Sequence, residues 1–158
     1  MEQRLNPYAK GLGAMRAVYG LGLYTEKSRI EKSLAALVFF RVSQINGCAY
    51  CLDADAASLL AKGETPQRLF VLNAWREATL YTPRERAALG WAEAVTLVTD
   101  GHVPDEVYAE AREQFSEEEL IDLTMAVLTV NCYNRVNIAF RITSGTHEPA
   151  VLEGNKQG

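Results

Sequence analysis

Apolar residues recur every three to four positions along most of the chain. Ile30, Leu34, Leu37 and Ile45 lie on or near one helical face, with Val38 and Val42 beside it. Ala88, Ala92, Val95 and Val98 repeat the pattern, as do Leu120, Leu123, Val127 and Val130. The spacing predicts helices over 12–23, 28–46, 48–62, 66–75, 83–99, 104–114 and 116–144. Capping signals mark several starts. Ser28 followed by Glu31, Thr82 by Glu85 and Ser116 by Glu119 each fit a capping box, and Thr65-Pro66 is a plainer start. Gly63 and Asp100-Gly101 read as stops. Leu37–Val42 alone has a strand-like composition, but the upstream cap and the length of the pattern favour helix.

Two stretches, Leu34–Phe40 and Leu123–Val130, are apolar most of the way round. Such helices must be buried on most sides, either by a neighbouring subunit or as the central helix of a monomer. Nothing resembles a linker, a repeat or a low-complexity tract. One all-helical domain over 1–146 is expected, followed by a polar tail over 147–158.

Composition narrows the function classes. With 158 residues, 48% of them apolar and 23% charged, the chain can bury a substantial core. Its net charge of −4 argues against a broadly cationic nucleic-acid binder or a binder of anionic membranes. No stretch is long enough to span a bilayer, and no N-terminal segment reads as a signal peptide. Three cysteines cannot all pair within one chain, which excludes a disulfide framework. The expectation is a cytoplasmic protein with reduced thiols.

One segment carries candidate chemistry: Arg41-Val42-Ser43-Gln44-Ile45-Asn46-Gly47-Cys48-Ala49-Tyr50-Cys51. Asn46-Gly47 is a turn signal that ends one helix and lets the next begin at or near Cys48. Cys48 and Cys51 then share one face of the first turn, where the sulfurs can reach bonding distance. A helix N-terminus offers free N–H groups and partial positive charge, which favour the reactive thiolate. The pair is therefore a redox candidate; the alternative is two small buried thiols at a helix start. Cys132, His102 and His147 are scattered singly, without the spacing of a zinc site, so no metal is expected. Cys132 reads as a small core residue and His102 as exposed. Asn131 and Asn134 read as partners for buried backbone or a neighbouring helix. The Tyr and Phe residues read as core or subunit interface.

The run Ser43–Cys51 closely resembles the alkylhydroperoxidase D-like proteins of the carboxymuconolactone decarboxylase superfamily. The likeness continues through Gly63–Leu69, Trp75-Arg76-Glu77, Glu85–Leu89, Trp91–Thr96 and Asn134-Arg135, from about residue 10 to about residue 142. It implies an all-α helical bundle assembled into homo-oligomers, commonly trimers or hexamers. It also implies a peroxidase that needs no bound cofactor. In that scheme Cys51 attacks a small-molecule hydroperoxide and becomes a sulfenic acid, and Cys48 resolves it as a disulfide. A dithiol, often a lipoyl group on a carrier protein, then reduces the pair.

Two positions depart from the family pattern. Asp55 stands where the family places His, and Ala36 where it places Glu; together those two relay a proton away from the attacking thiol. A charged Asp55 one turn beyond Cys51 would oppose thiolate formation. A partly buried Asp55 could instead serve as the base.

Three functions follow. The first is a thiol-dependent hydroperoxide reductase with altered or weak activity. The second is a non-catalytic or thiol-exchange-only oligomer that binds a partner or small molecule in the same pocket. The third, a lactone decarboxylase, ranks last, because that branch does not need the Cys-x-x-Cys this chain keeps.

Overall fold

The longest helix organises the others. In the computed structural model, which describes residues 2–145, α8 (Glu117–Phe140) runs for 24 residues. Before it come α1 (Pro7–Lys10), α2 (Leu12–Lys27), α3 (Lys32–Asn46), α4 (Ala49–Ala61), α5 (Pro66–Phe70), α6 (Pro83–Thr96) and α7 (Asp105–Gln114). A single 3-10 turn, Leu72–Ala74, follows α5, and no strand is present among the described residues. The tail expected over 147–158, with His147, lies outside the described residues.

Helix α3 is a wall shared by two apolar clusters. Leu34, Val38 and Val42 pack with Ala88 and Ala92 of α6 and with Leu120, Leu123, Val127 and Val130 of α8. The opposite side of α3 sends Leu37 and Phe40 against Leu59, Leu69, Leu72, Trp75 and Leu89. Burial of each Leu or Val stabilises the fold by about 1.5–3 kcal/mol. This two-sided packing explains, within one chain, why Leu34–Phe40 is apolar nearly all round. Helix α8 differs, because Ile121 and Leu128 stay 61% and 43% exposed.

The local signals at Thr82 and Ser116 form as capping boxes, each closed reciprocally by Glu85 or Glu119. Thr65 caps α5 through the backbone N–H of Arg68. The reading of Ser28 is corrected. Its hydroxyl donates back to the Thr25 carbonyl (2.8 Å), so Ser28 ends α2 and starts nothing. Both the backbone N–H and the side chain of Arg29 donate to Asp122 Oδ2 (3.0 Å each), pinning this corner to α8. Helix α3 therefore begins at Lys32 and not at 28, and Glu31 pairs with Arg84 and does not close a capping box. The helix expected over 66–75 splits into α5 and the 3-10 turn. The one expected to 144 stops at Phe140, where Arg141 turns left-handed (φ 53°).

Candidate functional site: a dithiol on the wall of an aromatic cleft

Gly47 closes α3 in the left-handed region (φ 67°), a conformation that costs glycine little. The chain then turns at once into α4 with Cys48 as its N-cap. The Cys51 backbone N–H donates to the Cys48 sulfur (3.3 Å). The two cysteines form a disulfide, with Cα atoms 5.3 Å apart. The helix end thus serves Cys48 directly. Cys51 takes a different donor, Nδ2 of Asn137 on α8, 3.3 Å from its sulfur.

Both cysteines are buried, at 1% and 7% exposure, yet each edges an opening. Cys51 lies on a cleft of about 590 Å³ with Tyr8, Tyr19, Phe39, Tyr50 and Tyr133. Cys48 lies on a separate cleft of about 330 Å³ beside Ile138, Arg141 and Ile142. Tyr50 and Asn137 border both. Gly22 of α2 leaves room for the Tyr133 hydroxyl, which would stand 2.9 Å from any Cβ placed there.

Asp55 is half-buried and borders the Cys51 cleft, where it accepts a hydrogen bond from Ser43 Oγ (3.3 Å). Ala36 and Asp55 together face a hollow of about 280 Å³ between α2, α3 and α4. The positions where the resemblance leads one to expect Glu and His are thus brought together.

A ladder of uncharged side chains ties the site to the core. Asn46 Nδ2 donates to Asn131 Oδ1 (3.0 Å) and Asn134 Oδ1 (2.9 Å), and Asn134 Nδ2 donates to Ser43 Oγ (3.0 Å). Asn131 also donates to Thr96 Oγ1 (3.1 Å) and accepts from Arg135. Asn131 and Asn134 do bridge helices, as their sequence context suggests. Asn137 and Tyr8 went unrecognised in the sequence, and the tyrosines read as core or interface instead border the Cys51 cleft. The polar three-residue spacing 131, 134, 137 on an apolar helix was the one available signal. His102 is exposed and Cys132 is half-buried; neither approaches this site. Among the described residues, no group of three or more His, Cys, Asp or Glu could hold a metal ion. None of their helices is long and apolar enough to cross a membrane.

These features define an all-helical protein with a helix-start Cys-x-x-Cys disulfide beside an aromatic cleft. The chain belongs to the carboxymuconolactone decarboxylase family, whose model matches residues 11–94, and is alkylhydroperoxidase D-like. It is 39% identical over 139 residues to the uncharacterised protein YdfG of Bacillus subtilis (strain 168), covering 88% of this chain and 95% of that one. A crystal structure from Agrobacterium tumefaciens, of a protein of unknown function suggested to be the antioxidant-defence protein AhpD, superposes with a TM-score of 0.88. It is 35% identical and covers 92% of this chain and all of that one. The debrominase Bmp8 shares the fold, with a TM-score of 0.74 at 20% identity over 87% of this chain and 74% of its own.

Proposed function

We propose that this protein is a thiol-dependent hydroperoxide reductase in which Cys51 is the attacking residue. The observation that carries this reading is the Cys51 sulfur on the wall of the aromatic cleft, within covalent reach of Cys48. The Cys51 thiolate attacks the terminal oxygen of the hydroperoxide. An S–O bond forms, the O–O bond breaks, and the alkoxide takes up the proton given up by the thiol to leave as alcohol. The Cys48 thiolate then attacks the sulfenic sulfur. The S–S bond forms, the S–O bond breaks, and hydroxide leaves as water with the proton from Cys48. An external dithiol exchanges with the disulfide, restoring both thiols and becoming oxidised itself. Asp55, on the same cleft, takes the proton from the Cys51 thiol. The protein works as a homo-oligomer.

The test is a dihydrolipoamide-linked assay with cumene hydroperoxide. Wild type is expected to turn over, and Cys51→Ser to lose turnover entirely while keeping its helical content. Activity that survives Cys51→Ser defeats the reading. A second reading, thiol–disulfide exchange without peroxide chemistry, draws on the separate opening at Cys48 and the helix-end N–H aimed at its sulfur. It would show as dithiol oxidation by the disulfide form with no peroxide consumed by the reduced form.

A further inference from the structure

Residues of five helices surround Cys51, and none of those bordering its cleft is Lys, Arg or His. Asp55 and Tyr50 face it from α4, Tyr8 from α1, Tyr19 from α2, Phe39 from α3, and Tyr133 and Asn137 from α8. The helix-end N–H that could favour a Cys51 thiolate is committed to Cys48. A thiolate here must be held by a neutral donor.

We propose that Asn137 is that donor, a catalytic residue that stabilises the Cys51 thiolate, with Tyr8 as the positioning residue that fixes which end of the amide meets the sulfur. The inference deepens the hydroperoxide-reductase reading and rests on it for the identity of the attacking thiol. Asn137 is 4% exposed, so its amide has few water molecules to satisfy it. Its Oδ1 accepts from the Tyr8 hydroxyl (2.7 Å), and its Nδ2 points to the Cys51 sulfur (3.3 Å). An amide has one accepting end and one donating end. A hydroxyl that donates to Oδ1 leaves the NH₂ end for the sulfur. Burial, aided by Tyr50 and Tyr19, pushes Tyr8 up to about 12 despite its bond to Asn137, so the hydroxyl keeps its proton at physiological pH.

The N-terminal segment is itself docked on the end of α8. The Arg4 backbone N–H donates to the Phe140 carbonyl (3.1 Å), and the Arg4 guanidinium donates to the Ala139 carbonyl (3.1 Å). That docking brings Tyr8 to Asn137 across 129 positions of sequence. A hydrogen bond to the charged form of a thiol lowers its pKa without introducing a fixed charge.

The experiment measures alkylation of Cys51 by iodoacetamide across pH in the reduced full-length protein, read on the Cys51 peptide by mass spectrometry. Asn137→Leu is expected to move the midpoint up by about one pH unit, which slows alkylation about tenfold at neutral pH. Tyr8→Phe, which removes one hydroxyl from a half-buried ring, is expected to move it the same way, with about a threefold slowing. A pH profile superimposable on wild type for Asn137→Leu overturns the proposal. Should that variant not fold, Tyr8→Phe decides alone: a shifted profile supports the proposal and an unshifted one overturns it. The assay uses no peroxide, so the peroxidase reading can fail while this result stands, and the reverse.

Discussion

Two polar bridges cross the helical core, and they are built from opposite chemistry. The first centres on Glu93 of α6. Its Oε1 accepts from Arg41 Nε of α3 (2.8 Å) and from Trp75 Nε1 (2.9 Å), while Arg76 holds Oε2. The second is the row of amides Asn131, Asn134 and Asn137 on α8: the first two accept from Asn46 of α3, Asn134 donates to Ser43, and Asn137, one turn further on, stands between the Tyr8 hydroxyl and the Cys51 sulfur. The first bridge neutralises a buried charge with partners that leave it nothing further to do. The second is built on neutral amides, with the Arg135 guanidinium touching it only at Asn131; each amide both donates and accepts, and the one nearest Cys51 presents a donor to a reactive atom. A full charge at its last rung would move the thiol by far more than a neutral amide does. The difference separates a part of the core that secures the fold from a part that conditions a sulfur.

The strongest way to break this contrast is Glu93→Ala. It leaves Arg41 and Trp75, both largely buried, without their acceptor. Loss of about 3 kcal/mol is expected in urea unfolding, since removing one partner of a buried ion pair strands the other. The pH profile of Cys51 alkylation in the folded fraction should not move. A shifted profile would mean that the two bridges are coupled and that the contrast is false.

A smaller effect is expected from exchanging the groups that flank the Cys51 site on its α3–α4 side. Ala36 and Asp55 share a hollow large enough for bigger side chains. The double variant Ala36→Glu with Asp55→His would provide the relay that the resemblance implies. A rise of about tenfold in the dihydrolipoamide-linked peroxidase rate is expected, less than a positioned base usually contributes, because in the proposed reaction Asp55 already serves in that role. An unchanged rate in a folded double variant would mean that proton transfer from Cys51 already runs through other groups.

Much of this division was legible in the sequence, and the part that was not has a common cause. Helices α3, α6 and α8 follow directly from apolar spacing, and Thr82, Ser116 and Gly47 mark their ends because capping depends on residues within one turn. Cys48 and Cys51 were legible for the same reason. Trp75, Arg76 and Glu93 stood out as pieces of family motifs, but only the fold shows that they meet on one carboxylate. Asn137 meets Cys51 from 86 positions away, a contact that leaves no local trace beyond an amide on an apolar helix. Helix α1 has four residues, too few for a period to register. Ser28 failed differently: a serine before a helix and a serine ending one carry the same short-range signal, and the contact that decides between them involves the preceding turn.

The subtlest expected difference is in acid. Burial alone would push the Glu93 carboxyl up, but the hydrogen bonds from Trp75, Arg76 and Arg41 outweigh it and hold it below the ordinary value of 4.5. The unfolded chain therefore takes up a proton at this group before the folded chain does. The stabilisation is complete above about 4.5 and is lost as the pH falls through the depressed folded value. Asp122 behaves alike: burial works against its charge, while Tyr24 and Arg29 prevail and keep it ionised. No rung of the amide ladder along α8 titrates. In urea midpoints taken from pH 7 to pH 3, Glu93→Gln should lose less stability on acidification than wild type, because the carboxylate contribution is already gone. Asn134→Ala, which removes a donor to the buried Ser43 hydroxyl and an acceptor of Asn46, should cost about 1–3 kcal/mol at every pH and run parallel to wild type. If the Asn134→Ala and wild-type curves instead converge in acid, the ladder contains a titrating group, and the candidate is Asp55 acting through Ser43, whose hydroxyl it shares with Asn134.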